Sequence, residues 1–118
     1  MLRTRFLNVK DHNMNMFALP GHKIRLRFSI DRLGSDHEQE SVKRYLVPGE
    51  IYTVEETEVF QSSSYVYLQE LKETQPGRCF NTVFFDDVEE QRMEDTKKHP
   101  YYIRYFGGAA SEDGMQER

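Results

Sequence analysis

The chain has 118 residues and a formal net charge of −4 at pH 7, with 16 Lys and Arg against 20 Asp and Glu. This length suits one domain with one core, and the acidic balance disfavours general binding to a phosphate backbone. No apolar run approaches the roughly 20 residues that cross a bilayer, and residues 1–10 lack the apolar core of a secretory signal. A lone Cys79 excludes an intramolecular disulfide and favours a reducing cytoplasm.

In chain order, residues 2–9 show a possible strand pattern, and residues 23–31 show the clearest period of two in the protein. The apolar positions of that second stretch are Ile24, Leu26, Phe28 and Ile30. We therefore expect a half-buried antiparallel strand. The polar residues 31–44 predict a long loop of the kind that joins the first two strands of SH3-like barrels.

A tight turn at Pro48-Gly49 follows, because Pro fixes φ at its first central position and Gly accepts positive φ at the second. The residues after it predict a β-hairpin, with strands at 51–60 and 65–71. A second Pro-Gly turn at residues 76–77 precedes a strand at 79–85, which is rich in aromatic and β-branched residues.

The period changes after this strand. Asp87 with Glu90 three residues later predicts a helix start, and Lys97 and Lys98 suit its end, which Pro100 would stop. Residues 101–106 are aromatic and strand-like. The predicted organisation is an N-terminal extension (1–21), a barrel (22–86), a C-terminal helix with an aromatic segment (87–106) and a flexible tail (107–118).

Two short patterns lie within residues 45–88. L-x-x-G-x-x-Y-x-V is carried by Leu46, Gly49, Tyr52 and Val54, and F-N-x-x-x-F by Phe80, Asn81 and Phe85. Because it carries both patterns, the segment 45–88 resembles a family of small proteins of unknown function that is common in bacteriophage and prophage genomes. The resemblance implies a small, mainly β, SH3-like antiparallel barrel and a place in the cytoplasm of a bacterial host cell. It transfers no functional residue, because the shared positions belong to turns and the core.

Catalytic and metal chemistry find little support in the sequence. Cys79 could pair with one of four histidines (His12, His22, His37 and His99), but a free Cys at the start of an aromatic strand usually acts as a small hydrophobe. The histidines have no metal-ligand spacing, and no nucleophile, base and oxyanion donor are coupled. We predict no enzyme activity, no metal and no cofactor.

Two surfaces are candidates for binding. The first is the aromatic segment, with Tyr101, Tyr102, Arg104, Tyr105 and Phe106 as candidate partner-binding residues. Tyr and Arg are enriched at interface hot spots. The segment could equally pack back onto the barrel, or cover an exposed edge in a homodimer.

The second surface is a basic strand formed by Lys23, Arg25 and Arg27, which could take an anionic ligand. The alternative is a solvated face balanced by glutamates at 55, 56 and 58. We predict a non-enzymatic phage-type accessory protein that binds and inhibits a bacterial host protein by occlusion. We predict no binding to a membrane. The second hypothesis is a binder of nucleotides or nucleic acid that uses the basic strand and stacked tyrosines.

Overall fold

The computed structural model describes residues 13–107. Five strands form its sheet: β1 (Lys23–Leu26), β2 (Ile51–Val59), β3 (Ser64–Leu68), β4 (Cys79–Asn81) and β5 (Phe85–Asp87). All neighbouring strands are antiparallel, in the order β4-β3-β2-β1-β5. The mainly β class is therefore confirmed. The closed SH3-like barrel is not confirmed, because β4 and β5 are the two edges of this sheet and the described residues do not pair them with each other.

The core lies on one face of this sheet. Ile24 and Leu26 on β1 are fully buried, as the alternation predicted. They pack with buried apolar residues of the other elements, among them Val42, Val54, Val66, Leu68, Phe80, Phe84 and Phe85. The predicted strand is shorter than expected, since β1 ends at Leu26. Phe28 is 77% exposed and lies beside the turn at Gly49.

The Pro48-Gly49 turn is confirmed. Gly49 has a φ of 86°, in the region that favours glycine, and the Glu50 N–H donates to the Val47 carbonyl at 3.1 Å. A Cβ at Gly49 would lie 2.4 Å from the Phe28 ring. The backbone conformation therefore requires glycine at this position, whereas the exposed Phe28 ring could move aside.

The predicted loop over residues 31–44 is wrong in its second part. Asp36–Tyr45 forms a ten-residue helix, α1, whose Val42 is buried in the core. Ser35 caps it: its side chain accepts from the Glu38 N–H, and the Glu38 carboxylate accepts from the Ser35 N–H. This reciprocal capping box satisfies two backbone donors at the helix start.

The hairpin of β2 and β3 is confirmed, whereas the predicted strand at 79–85 is interrupted. A 3₁₀ turn at Thr82–Phe84 separates β4 from β5, and the Asn81 side chain accepts from the Val83 N–H at its start. This turn allows the chain to leave one edge of the sheet and rejoin it at the other, next to β1.

The C-terminal elements differ most from the sequence prediction. Asp87 ends β5 instead of starting a helix, and the helix that follows, α2, covers only Met93–Thr96. The aromatic segment is helical, not extended: α3 (Pro100–Tyr102) continues into a π-helical turn at Ile103–Gly107. Pro100 occupies the first turn of α3, where its missing N–H costs nothing.

The predicted strand at residues 2–9 and the tail beyond Gly107 lie outside the described residues. No helix within residues 13–107 has the length and apolarity to cross a membrane.

Candidate binding groove

A groove of about 860 Å³ lies between residues 13–17 and the chain that follows β5. Its apolar wall consists of Phe17, Val88, Met93, Tyr102 and Phe106, and its acidic rim of Asp86, Asp87, Glu89 and Glu90. The volume lies within the range of about 300–1,000 Å³ that is typical of ligand sites. We call this surface the acidic-aromatic groove.

Phe17 organises the apolar wall. Its ring makes edge contacts with the rings of Tyr102 and Phe106, at centroid distances of 5.3 and 6.1 Å. Tyr102 and Phe106 also contact each other at 4.9 Å, since they lie four residues apart on one helical face. The helical form of the segment therefore brings these two rings together, whereas a strand would have spaced them apart.

A polar network fixes the frame of the groove. The Asn15 amide donates to Thr96 Oγ1 at 3.0 Å, and Gln91 donates to the same oxygen and to the Phe17 carbonyl. Gln91 also accepts from the Leu19 N–H. These bonds tie residues 15–19 to Gln91 and to Thr96 of α2 across more than 70 positions of sequence, so hydrogen bonds within the protein hold the two sides of the groove together.

His99 sets the orientation of the aromatic segment. It is 2% exposed, its Nδ1 accepts from the Tyr101 N–H at 3.1 Å, and its Nε2 lies 2.6 Å from Thr57 Oγ1. Because Nδ1 acts as an acceptor, the imidazole is neutral and Nε2 carries the proton that is donated to Thr57. Burial lowers the pKa of His99, which maintains this neutral form.

The remaining predicted residues of the aromatic segment do not line the groove. The Tyr105 hydroxyl donates to the Val59 carbonyl at 2.8 Å, and the Tyr101 ring contacts Phe60. The Arg104 guanidinium lies 4.9 Å from the centroid of the Tyr101 ring. The segment thus packs back onto the sheet, one of the arrangements considered from the sequence, and leaves only Tyr102 and Phe106 on the groove side.

The four carboxylates of the acidic rim are not equivalent. Asp87 accepts from the Asn15 N–H and lies 3.0 Å from His22 Nε2. Glu89 and Glu90 are exposed and make no hydrogen bond or ion pair with another described residue. Within the part of the chain that the structure describes, these two negative charges therefore have no partner, and they line the same groove as the apolar wall.

Asp86 is neutralised by the basic strand. Its carboxylate lies 2.8 Å from Arg27 Nη1, because β5 pairs with β1 and places Asp86 opposite Arg25. Burial raises the pKa of Asp86, while Arg27 acts in the opposite direction. The acid that pairs with Arg27 among the described residues is thus Asp86 on β5, and not one of the β2 glutamates named in the alternative interpretation.

The other residues predicted for an anionic ligand are also engaged or dispersed. The Lys23 ammonium donates to Thr53 Oγ1 at 2.7 Å, and the Arg27 guanidinium donates to the Val83 carbonyl and to Asn13. Arg25 is half-buried, and its charge, like that of Arg27, opposes the rise that burial causes in the pKa of Asp86. Much of the positive charge of the basic strand is therefore bound by groups of the protein itself.

Cys79 is half-buried beside Tyr67 on the neighbouring strand. Burial raises the pKa of the Cys79 thiol, and burial together with Glu58 raises that of the Tyr67 hydroxyl well above its ordinary range. A raised thiol pKa disfavours the nucleophilic thiolate. Within residues 13–107, no three His, Cys, Asp or Glu side chains are grouped so that they could hold a metal ion.

Sequence reasoning missed Phe17, Met93 and the role of the glutamates at 89 and 90. Phe17 belonged to the predicted N-terminal extension (1–21), to which no role was assigned, and the acids were interpreted as part of a helix start. The one available signal was the amphipathic spacing of Tyr102 and Phe106, which predicts a common face only if the segment is helical.

The described residues define a small, mainly β protein in which a helical aromatic segment and the end of the sheet enclose one acidic groove. The family model described as Bacteriophage T4 protein Y07B matches residues 23–104. The match covers more than half of the chain, and the chain therefore belongs to this family of phage proteins. Neither the curated proteins nor the solved structures include a significant match.

Proposed function

We propose that the protein is a non-enzymatic phage accessory protein that binds a bacterial host protein through the acidic-aromatic groove and blocks that partner's surface. The supporting observation is the apolar wall, which the chain builds from distant segments and leaves partly in solvent. Met93 is 60% exposed and Phe106 is 54% exposed, beside the half-buried Phe17 and Tyr102. Apolar surface grouped in a concave site marks an interaction surface more often than apolar residues that are scattered singly.

Membership of a phage protein family supports a bacterial host protein as the partner, because a phage multiplies in a bacterial cell. The acidic-aromatic groove supports the proposal as a surface that could make such a contact. The proposed contact residues also differ from those suggested by the sequence. Tyr101 and Tyr105 contact the rest of the protein, so we propose that only the groove side of the aromatic segment, with Tyr102 and Phe106, contacts the partner.

The test uses the full-length chain as bait in a bacterial lysate. We expect stoichiometric capture of one host protein and inhibition of that protein's activity by the purified chain. Met93→Ser together with Phe106→Ser should abolish both, because exposed side chains are removed and the fold should persist.

The matched control is Val47→Ser together with Ile51→Ser, which removes two apolar side chains that are 56% and 43% exposed but lie outside the groove. This control should capture and inhibit like the original chain. Capture that is equally strong with the groove variant, or capture without any loss of the partner's activity, would refute the proposed function.

A further inference from the structure

We infer that the segment held in the acidic-aromatic groove is basic, with Arg side chains adjoining apolar ones in the host protein. This inference rests on the proposed function and specifies the chemistry of the partner. It depends on the acidic rim, whereas the proposed function depends on the apolar wall.

The first argument is charge. None of the described residues that line the groove is Lys or Arg, whereas four are carboxylates. Arg27 neutralises Asp86, and His22 with the Asn15 N–H engages Asp87. Glu89 and Glu90 line the groove without a charge partner among residues 13–107. An anionic ligand, including a phosphate backbone, would be repelled here, and a cationic segment would be attracted.

The second argument is the apolar wall beside these charges. The rings of Tyr102 and Phe106 line the same groove as the acidic rim, so a segment bound there would meet both carboxylates and aromatic faces. The protein already makes two contacts between Arg and an aromatic ring elsewhere: the Arg78 guanidinium lies 4.1 Å from the Tyr45 ring centroid, and Arg104 contacts Tyr101. Arg suits this combination better than Lys, because its planar guanidinium both stacks on rings and forms paired hydrogen bonds with carboxylates.

The third argument is the separation of apolar and charged surfaces. Met93 and Val88 lie among the lining residues and are 60% and 41% exposed, so the wall can bury aliphatic side chains of the partner. A purely polar cationic segment would leave these apolar side chains in contact with water. The groove therefore fits a peptide segment that alternates cationic and apolar side chains.

The probe is a short fluorescein-labelled peptide that alternates arginine and leucine, titrated with the full-length chain at low salt. We expect saturable binding with backbone amide shifts confined to residues 86–96 and 102–106. Glu89→Gln together with Glu90→Gln should weaken binding on the order of tenfold. The same variant should flatten the salt dependence, since surface pairs are screened by salt.

Two controls match this variant. Glu55→Gln together with Glu56→Gln removes the same charge from neighbouring acids on β2 and should leave the affinity unchanged. A peptide with citrulline in place of arginine keeps the shape without the charge and should bind weakly. Equal weakening by both glutamate pairs, equal binding of the citrulline peptide, or shifts spread over other surfaces would overturn the inference. Concentration-dependent self-association through the groove, with no peptide-induced shifts there, would assign the groove to a second copy of the chain and would also overturn it.

The outcome is separable from that of the proposed function. If the glutamate variant captures the host protein normally while Met93→Ser with Phe106→Ser does not, the host-binding role stands and the basic partner is refuted. If the peptide binds as expected but the groove variant captures host protein like the original chain, the role is refuted instead.

Discussion

At the level of single residues, His99 connects the sheet to the aromatic segment. Its imidazole caps α3 through Nδ1 and reaches Thr57 on β2 through Nε2. Protonation of Nδ1 would convert the acceptor of the Tyr101 N–H into a donor, and the cap would be lost. The neutral state of one buried side chain is therefore a condition for the present position of the segment.

This condition predicts a pH dependence of stability. The pKa of His99 is lowered from 6.5 in the native protein, so below about pH 6.5 the unfolded chain takes up a proton that the native protein resists. The contribution of His99 to the free energy of unfolding is complete above pH 6.5 and is lost as the pH falls from there towards the native pKa. His99→Asn, which keeps a capping oxygen but does not titrate, should show a shallower loss of the urea midpoint over this range.

The matched control is His37→Asn, which changes an exposed histidine of α1. It should retain the slope of the original chain. If His99→Asn and the original chain lose stability in parallel between about pH 7 and pH 5, the link between the cap and the proton is wrong.

At the level of elements, the capping box at Ser35 and Glu38 explains why a polar stretch forms α1. Ser35→Ala removes the acceptor of the Glu38 N–H and should lower the free energy of unfolding by about 1 kcal/mol. Chemical denaturation followed by circular dichroism measures the change. Ser62→Ala, at an exposed turn position without a side-chain hydrogen bond among the described residues, should have no measurable effect. Equal stability of the two variants would show that α1 is held by Val42 alone.

The strands were predictable from the sequence, and the helices largely were not. The alternation of apolar and polar residues identified β1, because a half-buried strand has this period of two in its sequence. Turn residues identified the hairpin. The box at Ser35 and Glu38 was also visible, yet α1 carries a single fully buried apolar residue, Val42, and so has little amphipathic signal.

The aromatic segment was misinterpreted for a different reason. Its residue types favour strands, but their arrangement is decided by contacts that are distant in sequence, with Phe17, Thr57 and Val59. The same applies to the groove, whose two sides are separated by about 70 residues of sequence. The candidate residues Tyr102 and Phe106 could be named from composition, whereas their partner Phe17 could not.

At the level of the whole molecule, the groove depends on one junction between the residues before β1 and the residues after β5. Phe17 is the centre of that junction, since it contacts His99, Tyr102 and Phe106. The strands β2 and β3 pair with each other and pack into the core, and β2 meets the C-terminal segment at Thr57 and Val59 instead of at Phe17. The C-terminal segment should therefore open as a unit before the sheet unfolds.

Phe17→Ala tests this order of stability by hydrogen exchange of the full-length chain. Loss of the central ring should increase the exchange of the amides of residues 102–107 by about tenfold or more, while those of β2 and β3 change little. Phe28→Ala, which removes a ring of the same size that is 77% exposed and distant from the groove, should change neither set. A uniform increase over the sheet and the segment would show that Phe17 supports the whole fold. Unchanged exchange at residues 102–107 would show that His99 and Tyr105 hold the segment without it. Local opening confined to the segment would mean that the apolar wall is assembled by Phe17, and that partner binding should slow exchange at these amides first.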